Sequence, residues 1–129
     1  MHEPLDKKVL IVDDKEPIRK LLSDFFLFDG YEIIFANNCK EALDILKNKY
    51  PIALLIIDLN MPVTDGIELV VKIRNLDIPL PIISMSFEDK RSEFLRAGAD
   101  YFLLKPFSLN HFKSILYLIF GEETPLPTY

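Results

Sequence analysis

Six consecutive apolar residues, 52–57, end abruptly at Asp58 and constrain the fold of this chain more than any other feature. Pro51 precedes the run, and a loop containing Pro62 and Gly66 follows it. A short aliphatic run bounded in this way predicts a strand buried on both faces, which is typical of a parallel sheet covered by helices. Ligands of such sheets bind outside the carboxyl ends of the strands. Asp58 lies at that end, where burying a carboxylate is costly unless it has a partner.

Strands and helices are predicted to alternate along the rest of the chain. The predicted strands are residues 9–12, 32–36, 52–57, 82–86 and 101–104. Stretches with apolar residues at helical spacing lie between and after them, and the five predicted helices begin near Pro17, Asn38, Asp65, Asp89 and Ser108. This alternation predicts an α/β fold with one doubly wound, five-stranded parallel sheet. The expected strand order is the flavodoxin-like 2-1-3-4-5, with helices on both faces.

Some of these helices have predicted caps and buried faces. Asn38 with Glu41 resembles a capping box, Asp65 is expected to cap the third helix, and Ser108 is expected to cap the fifth. The residues expected to face inward on the third helix are Ile67, Val70, Val71 and Ile73. The fifth helix also carries Leu109, and the apolar stripe that it is expected to bury is Phe112, Ile115, Leu116 and Ile119.

The strand order predicts that five polar residues meet at one edge of the sheet: Asp13, Asp14, Asp58, Ser86 and Lys105. Clustered carboxylates repel one another, so at least one pKa should rise unless a cation lies among them. Mg²⁺ fits best, because it binds one or two carboxylates together with waters and phosphate oxygens. With an ammonium and a hydroxyl, this set suits a transferring phosphoryl group. The central carboxylate, Asp58, is placed as the nucleophile that forms an aspartyl phosphate.

Each of these residues has an ordinary interpretation when taken alone, such as a helix cap, a loop start or a surface turn. Their coincidence at the carboxyl ends of four predicted strands favours a functional site. Cys39, His2 and His111 are interpreted as structural or surface residues.

Four motifs, VLIVDD, IIDLNMPVTDG, PIISMS and AGADYFLLKPF, give the chain a specific resemblance to the receiver domain of two-component response regulators, over about residues 8–120. The resemblance implies that a sensor histidine kinase or phosphotransfer protein donates a phosphoryl group to Asp58 in a Mg²⁺-dependent reaction. A phosphorylation-driven conformational switch would then transmit the signal. It implies a cytoplasmic phosphoprotein that is not an enzyme and at most promotes its own phosphorylation and dephosphorylation.

The resemblance assigns the metal ligands residue by residue. Asp14 would bind Mg²⁺ directly and Asp13 mainly through water. Asp58 and the backbone carbonyl of Asn60 would complete the protein ligands.

The resemblance also assigns a switch. Ser86 matches the switch hydroxyl and Phe102 the switch aromatic, so phosphorylation is expected to draw Ser86 towards the phosphoryl oxygens and let Phe102 move inward. Lys105 matches the lysine that pairs with the phosphoryl group, and its bond to Pro106 is implied to be cis. Phe87 departs from the family, which usually has a small residue there. We expect its ring to narrow access to the site and so to alter rates more than function.

Excess apolar residues in the fifth helix predict a partner surface. Tyr117, Leu118 and Phe120 cannot all share the inward stripe, so some should face outward. We expect the fourth helix, the fifth strand and the fifth helix together to mediate homodimerisation or effector docking.

Composition excludes several other classes of partner and compartment. The net charge of -5 and the absence of a Lys/Arg cluster argue against direct nucleic-acid binding. The longest purely aliphatic run is far too short to span a bilayer, and residues 1–8 predict no signal peptide. The single cysteine excludes an internal disulfide and suits a reducing compartment.

Three alternative functions remain open. The nearest is a receiver-like interaction module that works without phosphorylation, an interpretation that only Phe87 favours. A flavodoxin-like cofactor binder would need a phosphate-binding loop after the first strand, where the acidic sequence DDKEP stands instead. A Mg²⁺-dependent aspartyl phosphatase would need a second acid where Asn60 stands. In all cases we expect residues 1–120 to form one domain and residues 121–129 a flexible C-terminal tail or the start of a linker.

Overall fold

The computed structural model describes residues 8–13, 31–48, 51–58 and 63–121. Within these ranges the strands are β1 (Lys8–Asp13), β2 (Glu32–Ala36), β3 (Leu54–Asp58), β4 (Ile82–Ser86) and β5 (Tyr101–Leu104). The helices are α1 (Cys39–Lys47), α2 (Val63–Asn75), α3 (Arg91–Ala97) and α4 (Leu109–Phe120). The predicted helix that begins near Pro17 lies outside the described residues. The helices α3 and α4 are therefore the predicted fourth and fifth helices.

The strands form one parallel sheet in the order β2-β1-β3-β4-β5, which confirms the predicted topology. Three predicted strands match the observed ones, β1 is one residue longer at each end, and β3 begins two residues later and ends one residue later than predicted. Every residue of β3 is buried, because β1 and β4 flank it in the sheet and helices cover both faces. The sheet therefore presents the end of its central strand, at Asp58, in the middle of one edge.

Alternate residues of the strands supply two apolar cores, one on each face of the sheet, as the pleat requires. One core combines strand residues with α1, α2 and α3, and its strand members include Leu10, Val12, Leu55, Ile57, Ile82 and Phe102. The other packs against α4 and includes Val9, Ile11, Leu54, Ile56, Ile83 and Leu103. Helices on both faces are thus confirmed. None of the helices in the described ranges combines the length and hydropathy needed to cross a bilayer.

Two of the predicted caps are confirmed. The side-chain oxygen of Asn38 accepts a hydrogen bond from the Glu41 amide at 2.9 Å, at the start of α1. The hydroxyl of Ser108 accepts one from the His111 amide at 3.0 Å, at the start of α4. Each bond satisfies an amide that the first turn of a helix leaves without an intrahelical acceptor.

The predictions for α2 were wrong in two respects. The helix begins at Val63, so Asp65 lies in its first turn and is not its cap. A carboxylate in the first turn is favoured by the helix dipole, so an acidic residue there resembles a cap in sequence. Val71 is exposed and Leu69 is buried in its place, because the inward stripe is in register with Gly66, Val70 and Ile73.

The predicted inward stripe of α4 is confirmed, and Leu109 at the start of the helix is exposed. Phe107, just before the cap, packs against Phe112 with ring centroids 5.9 Å apart. This pairing of the residue before the cap with the fourth helical residue is a hydrophobic staple. The staple fills the apolar contact at the start of α4, while Leu109 remains in solvent.

The turn that leads into β5 is held by Arg74 from the end of α2. Its guanidinium donates to the carbonyls of Ile78 and Gly98 and to the carboxylate of Asp100. Gly98 has a positive φ of 122°, and a Cβ there would lie 2.7 Å from Arg74 Cγ. Only glycine therefore fits this turn, which fixes where β5 begins.

Candidate active site at the carboxyl edge of the sheet

Two buried carboxylates lie side by side at this edge. Asp13 ends β1, Asp58 ends β3, and the two residues are partners in the parallel ladder. Both are fully buried. Ladder partners lie about 4.8 Å apart and point to the same face, so the two carboxylates are close neighbours in a region of low dielectric. Their mutual repulsion disfavours two negative charges at this spot.

Lys105 brings the opposite charge to Asp58. It follows β5 directly, and its ammonium forms an ion pair with Oδ1 of Asp58, with the lysine side chain 5% exposed. Its backbone amide donates to the carbonyl of Ser86 at 2.8 Å, which ties the end of β5 to the end of β4. The bond to Pro106 is cis, as the resemblance implies. The pair therefore joins the ends of β3 and β5 across the intervening strand.

The hydroxyl of Ser86 lies at the same edge, at the end of β4, and is nearly buried. It accepts a hydrogen bond from the backbone amide of Glu88 at 3.0 Å. A hydroxyl that accepts one bond still has its own hydrogen to donate. Ser86 is thus a donor at the site and, through Glu88, part of the turn that leads towards α3.

Phe102, the expected switch aromatic, is buried in this structure. Its ring stacks on Phe94 with centroids 5.7 Å apart, and the guanidinium carbon of Arg91 lies 5.6 Å from its centroid. The sequence analysis identified neither neighbour. Phe94 was recognisable as the one aromatic residue of α3, but its partner depends on how α3 packs on the sheet.

Phe87 follows Ser86 directly and is 67% exposed. Its ring centroid lies 5.1 Å from the ammonium nitrogen of Lys105. A cation within about 6 Å of an aromatic face is attracted to it. The ring is therefore at the site, as expected, but its contact with the lysine was not predicted.

The remaining predicted residues divide into those outside the described part of the chain and those away from the site. Asp14 and Asn60 lie outside the described residues, as does His2, and no group of three or more His, Cys, Asp or Glu that could hold a metal occurs within the described ranges. His111 is exposed in the first turn of α4. Cys39 is half-buried between α1 and α2, where its thiol donates to the carbonyl of Asp65 at 3.5 Å. Burial, with a smaller contribution from the Asp65 charge, raises the pKa of the Cys39 thiol to about 11, so it is protonated at neutral pH.

Comparison with known proteins gives a consistent result. The family model described as the response regulator receiver domain matches residues 9–117. Response regulator MprA of Mycolicibacterium vanbaalenii is 34% identical over 121 residues, which cover 92% of this chain and 52% of MprA. The chain thus spans about half the length of this curated relative.

Solved structures agree with the sequence comparison. Response regulator TrrA of Thermotoga maritima, solved in complex with Mg²⁺ and BeF, has a TM-score of 0.76 at 32% identity, covering 88% of this chain and 98% of TrrA. The receiver domain of the response regulator Ssk1 of Saccharomyces cerevisiae, solved with the histidine phosphotransfer protein Ypd1, has a TM-score of 0.75 at 25% identity. That match covers 85% of this chain and 86% of the solved one.

The arrangement of charges at the site predicts that replacing Lys105 and replacing Asp58 have unequal effects on the free energy of unfolding. Lys105→Met should lower the free energy of unfolding by about 3 kcal/mol or more, because Asp58 would stay buried beside Asp13 without its ammonium. Asp58→Asn should have a much smaller effect, because it removes the repulsion from Asp13 together with the attraction to Lys105. Urea unfolding at pH 7 in the presence of a chelator measures both.

A surface lysine provides the control for this comparison. Lys90 pairs with Glu93 at 3.6 Å, and both side chains are well exposed, so Lys90→Met should change the stability by less than about 1 kcal/mol. Equal losses in Lys105→Met and Asp58→Asn would contradict a significant repulsion between the two carboxylates.

Proposed function

The chain belongs to the response regulator receiver family, and from this premise we propose that Asp58 is the residue that accepts the phosphoryl group. The observation that supports this most strongly is the ion pair of Asp58 with Lys105 at the carboxyl end of the central strand. A buried carboxylate in contact with an ammonium is held where a phosphoryl group added to it would meet a positive charge at once.

The proposed transfer conserves atoms and electrons. A carboxylate oxygen of Asp58 attacks the phosphorus with a lone pair and forms an O–P bond. The P–N bond of a phosphohistidine breaks, its nitrogen keeps the electron pair, and the imidazole takes up a proton. The ammonium of Lys105 and the hydroxyl of Ser86 stabilise the negative charge on the phosphoryl oxygens during the step.

We further propose that Mg²⁺ is the cofactor of this site. Two adjacent, buried carboxylates provide the hard oxygen ligands that this ion prefers, and TrrA, a similar receiver, was solved with it. Following the resemblance, Asp14 would bind the ion directly and Asp13 mainly through water, with Asp58 and the backbone carbonyl of Asn60 as further ligands. When bound, the ion neutralises charge on the phosphoryl oxygens.

The donor is proposed to be a sensor histidine kinase or a phosphotransfer protein in the cytoplasm. The complex of Ypd1 with the receiver of Ssk1 supports this class of partner. We propose residues 1–120 as the receiver domain and residues 121–129 as its tail or the start of a linker. As a receiver, the chain is a signalling domain that promotes at most its own phosphorylation and dephosphorylation.

The proposed switch starts at Ser86. Phosphorylation draws its hydroxyl towards the phosphoryl oxygens. Because the same oxygen accepts the Glu88 amide, this movement shifts the turn that precedes α3. Arg91 and Phe94 of α3 both contact the ring of Phe102 on β5. A change at Ser86 is therefore transmitted to α3 and β5 together, through repacking around a ring that is already buried.

We propose that the signal leaves through the surface formed by α3, β5 and α4, called here the output face. It exposes Leu95 of α3, Leu104 of β5 and Leu118 of α4, which are 42%, 40% and 65% exposed. The three leucines lie on consecutive elements of the chain, and exposed apolar residues of this kind are typical of a partner site. The proposed occupants are a second copy of the chain or an effector.

Within α4, the geometry of the helix separates Leu118 from Tyr117. Phe120 contacts Tyr31, which precedes β2. The strands β2 and β5 are the two opposite edges of the sheet. At about 100° per residue, Leu118 lies roughly 160° around the helix from Phe120, whereas Tyr117 lies roughly 60° from it. Leu118 therefore belongs to the flank nearer β5, and Tyr117, although exposed, belongs outside the output face.

Loading with a small acyl phosphate tests the acceptor. Incubation with the donor and Mg²⁺ should add one phosphoryl group, measured by intact-mass spectrometry, and a chelator should prevent the addition. Asp58→Asn should gain no mass. The same gain in Asp58→Asn would contradict the assignment, and a wild-type protein that gains nothing would favour the phosphorylation-independent interaction module.

Substitutions on α4 test the output face. Sedimentation velocity measures self-association of the loaded protein, and a pull-down compares effector binding by loaded and unloaded protein. Leu118→Asp should abolish whichever association phosphorylation strengthens, because it adds a charge to the apolar patch. Tyr117→Asp adds the same charge one residue away and should leave the association unchanged. Equal loss in both variants, or in neither, would contradict this location.

A further inference from the structure

Lys105 has a second neighbour besides Asp58, namely the exposed ring of Phe87. We propose that Phe87 is a positioning residue, whose ring holds the ammonium of Lys105 at the mouth of the site through a cation–π contact. The inference rests on the proposed function, because it concerns the lysine that meets the transferred phosphoryl group. Phe87 is not a catalytic residue, since it acts only through Lys105.

The backbone at the strand ends fixes the ring beside the lysine. Ser86 and Leu104 are ladder partners, so the residues that follow them, Phe87 and Lys105, leave adjacent strands at the same level. The Lys105 amide donates to the Ser86 carbonyl, and the Ser86 hydroxyl accepts the Glu88 amide. These two hydrogen bonds lie on either side of Phe87 in the chain and restrain its backbone relative to that of Lys105.

The exposure of the ring makes a purely structural role a poor explanation. Phe87 is 67% exposed, so it contributes little apolar burial to the fold. Its distance of 5.1 Å to the ammonium nitrogen is within the range in which the ring attracts a cation. Lys105, in contrast, is almost completely buried, so the ring lies on the outer side of a charge that solvent hardly reaches.

Restraining Lys105 favours the phosphoryl transfer, because an unrestrained lysine side chain is mobile. The lysine side chain has a flexible four-carbon stem and loses much rotamer freedom when it is fixed. Asp58 restrains the ammonium before the reaction, but its carboxylate charge is lost when the acyl phosphate forms. The ring of Phe87 does not change in that step, so it keeps the ammonium in position while the negative charge moves to the phosphoryl oxygens.

The test uses two substitutions that keep an apolar side chain at position 87. Phe87→Leu retains much of the bulk but has no aromatic face, whereas Phe87→Tyr retains the face. The rate of loading is measured against the concentration of a small acyl phosphate in the presence of Mg²⁺. We expect Phe87→Leu to lower the maximal rate about two- to fivefold with an unchanged half-saturating concentration, and Phe87→Tyr to restore the wild-type rate.

A spectroscopic measurement on the unphosphorylated protein supplies an independent readout. The ring current of Phe87 should shift the Hε protons of Lys105 upfield. Phe87→Leu should remove this shift and Phe87→Tyr should keep it. Tyr117→Leu removes an exposed ring elsewhere on the molecule and should leave both the shift and the loading rate unchanged.

The outcomes separate this inference from the proposed function. Loading at Asp58 with wild-type kinetics in Phe87→Leu would overturn the positioning role and leave the acceptor assignment intact. If the ring acted only by narrowing access to the site, substitution would instead change the half-saturating concentration. If bulk alone mattered, this change would be equal in the leucine and tyrosine variants. If the Lys105 shift depends on Phe87 but Asp58 takes no label, the contact stands and the proposed function fails.

Discussion

The ion pair between Asp58 and Lys105 is the interaction on which the rest of this structure depends. It joins residues that follow different strands, so it forms only when β3, β4 and β5 are in the observed order and register. A buried pair contributes little net stability, because the loss of hydration of two charges offsets most of their attraction. Asp13 beside Asp58 makes the arrangement less favourable still. Such a cluster is better explained by chemistry than by folding, in accord with the proposed acceptor.

The same edge of the sheet connects the chemistry to a surface. Ser86 bonds to the Glu88 amide, and the turn that follows leads into α3, whose residues Arg91 and Phe94 both contact Phe102. Phe102 has no hydroxyl and is buried, so its ring has no polar group to exchange between partners and can respond only by repacking. The proposed output is therefore a change in packing between α3 and β5 that alters the exposed leucines beside them.

The sequence was sufficient to predict that five strands exist, because each is a short, largely apolar run, and their alternation with helices predicted the strand order. It was also sufficient to predict that Asp13, Asp58, Ser86 and Lys105 share one edge, which the register confirms. The first residues of helices and the contacts between side chains were harder to predict from the sequence. A carboxylate in the first turn of a helix resembles a cap, as Asp65 did. Ser84 is a buried polar residue that the sequence analysis did not identify. It lies on the same face of β4 as Ser86 and is fully buried, and its hydroxyl has no hydrogen bond among the described residues.

A structure of the protein with Mg²⁺ and beryllofluoride tests the central claim most directly, because this complex mimics an aspartyl phosphate. The account predicts beryllium bonded to a carboxylate oxygen of Asp58. It also predicts fluorines within hydrogen-bond distance of the Lys105 ammonium and the Ser86 hydroxyl, and a longer distance from that hydroxyl to the Glu88 amide than the present 3.0 Å. Beryllofluoride bound at another carboxylate, or bound at Asp58 with Lys105 and Ser86 both out of reach, would contradict it.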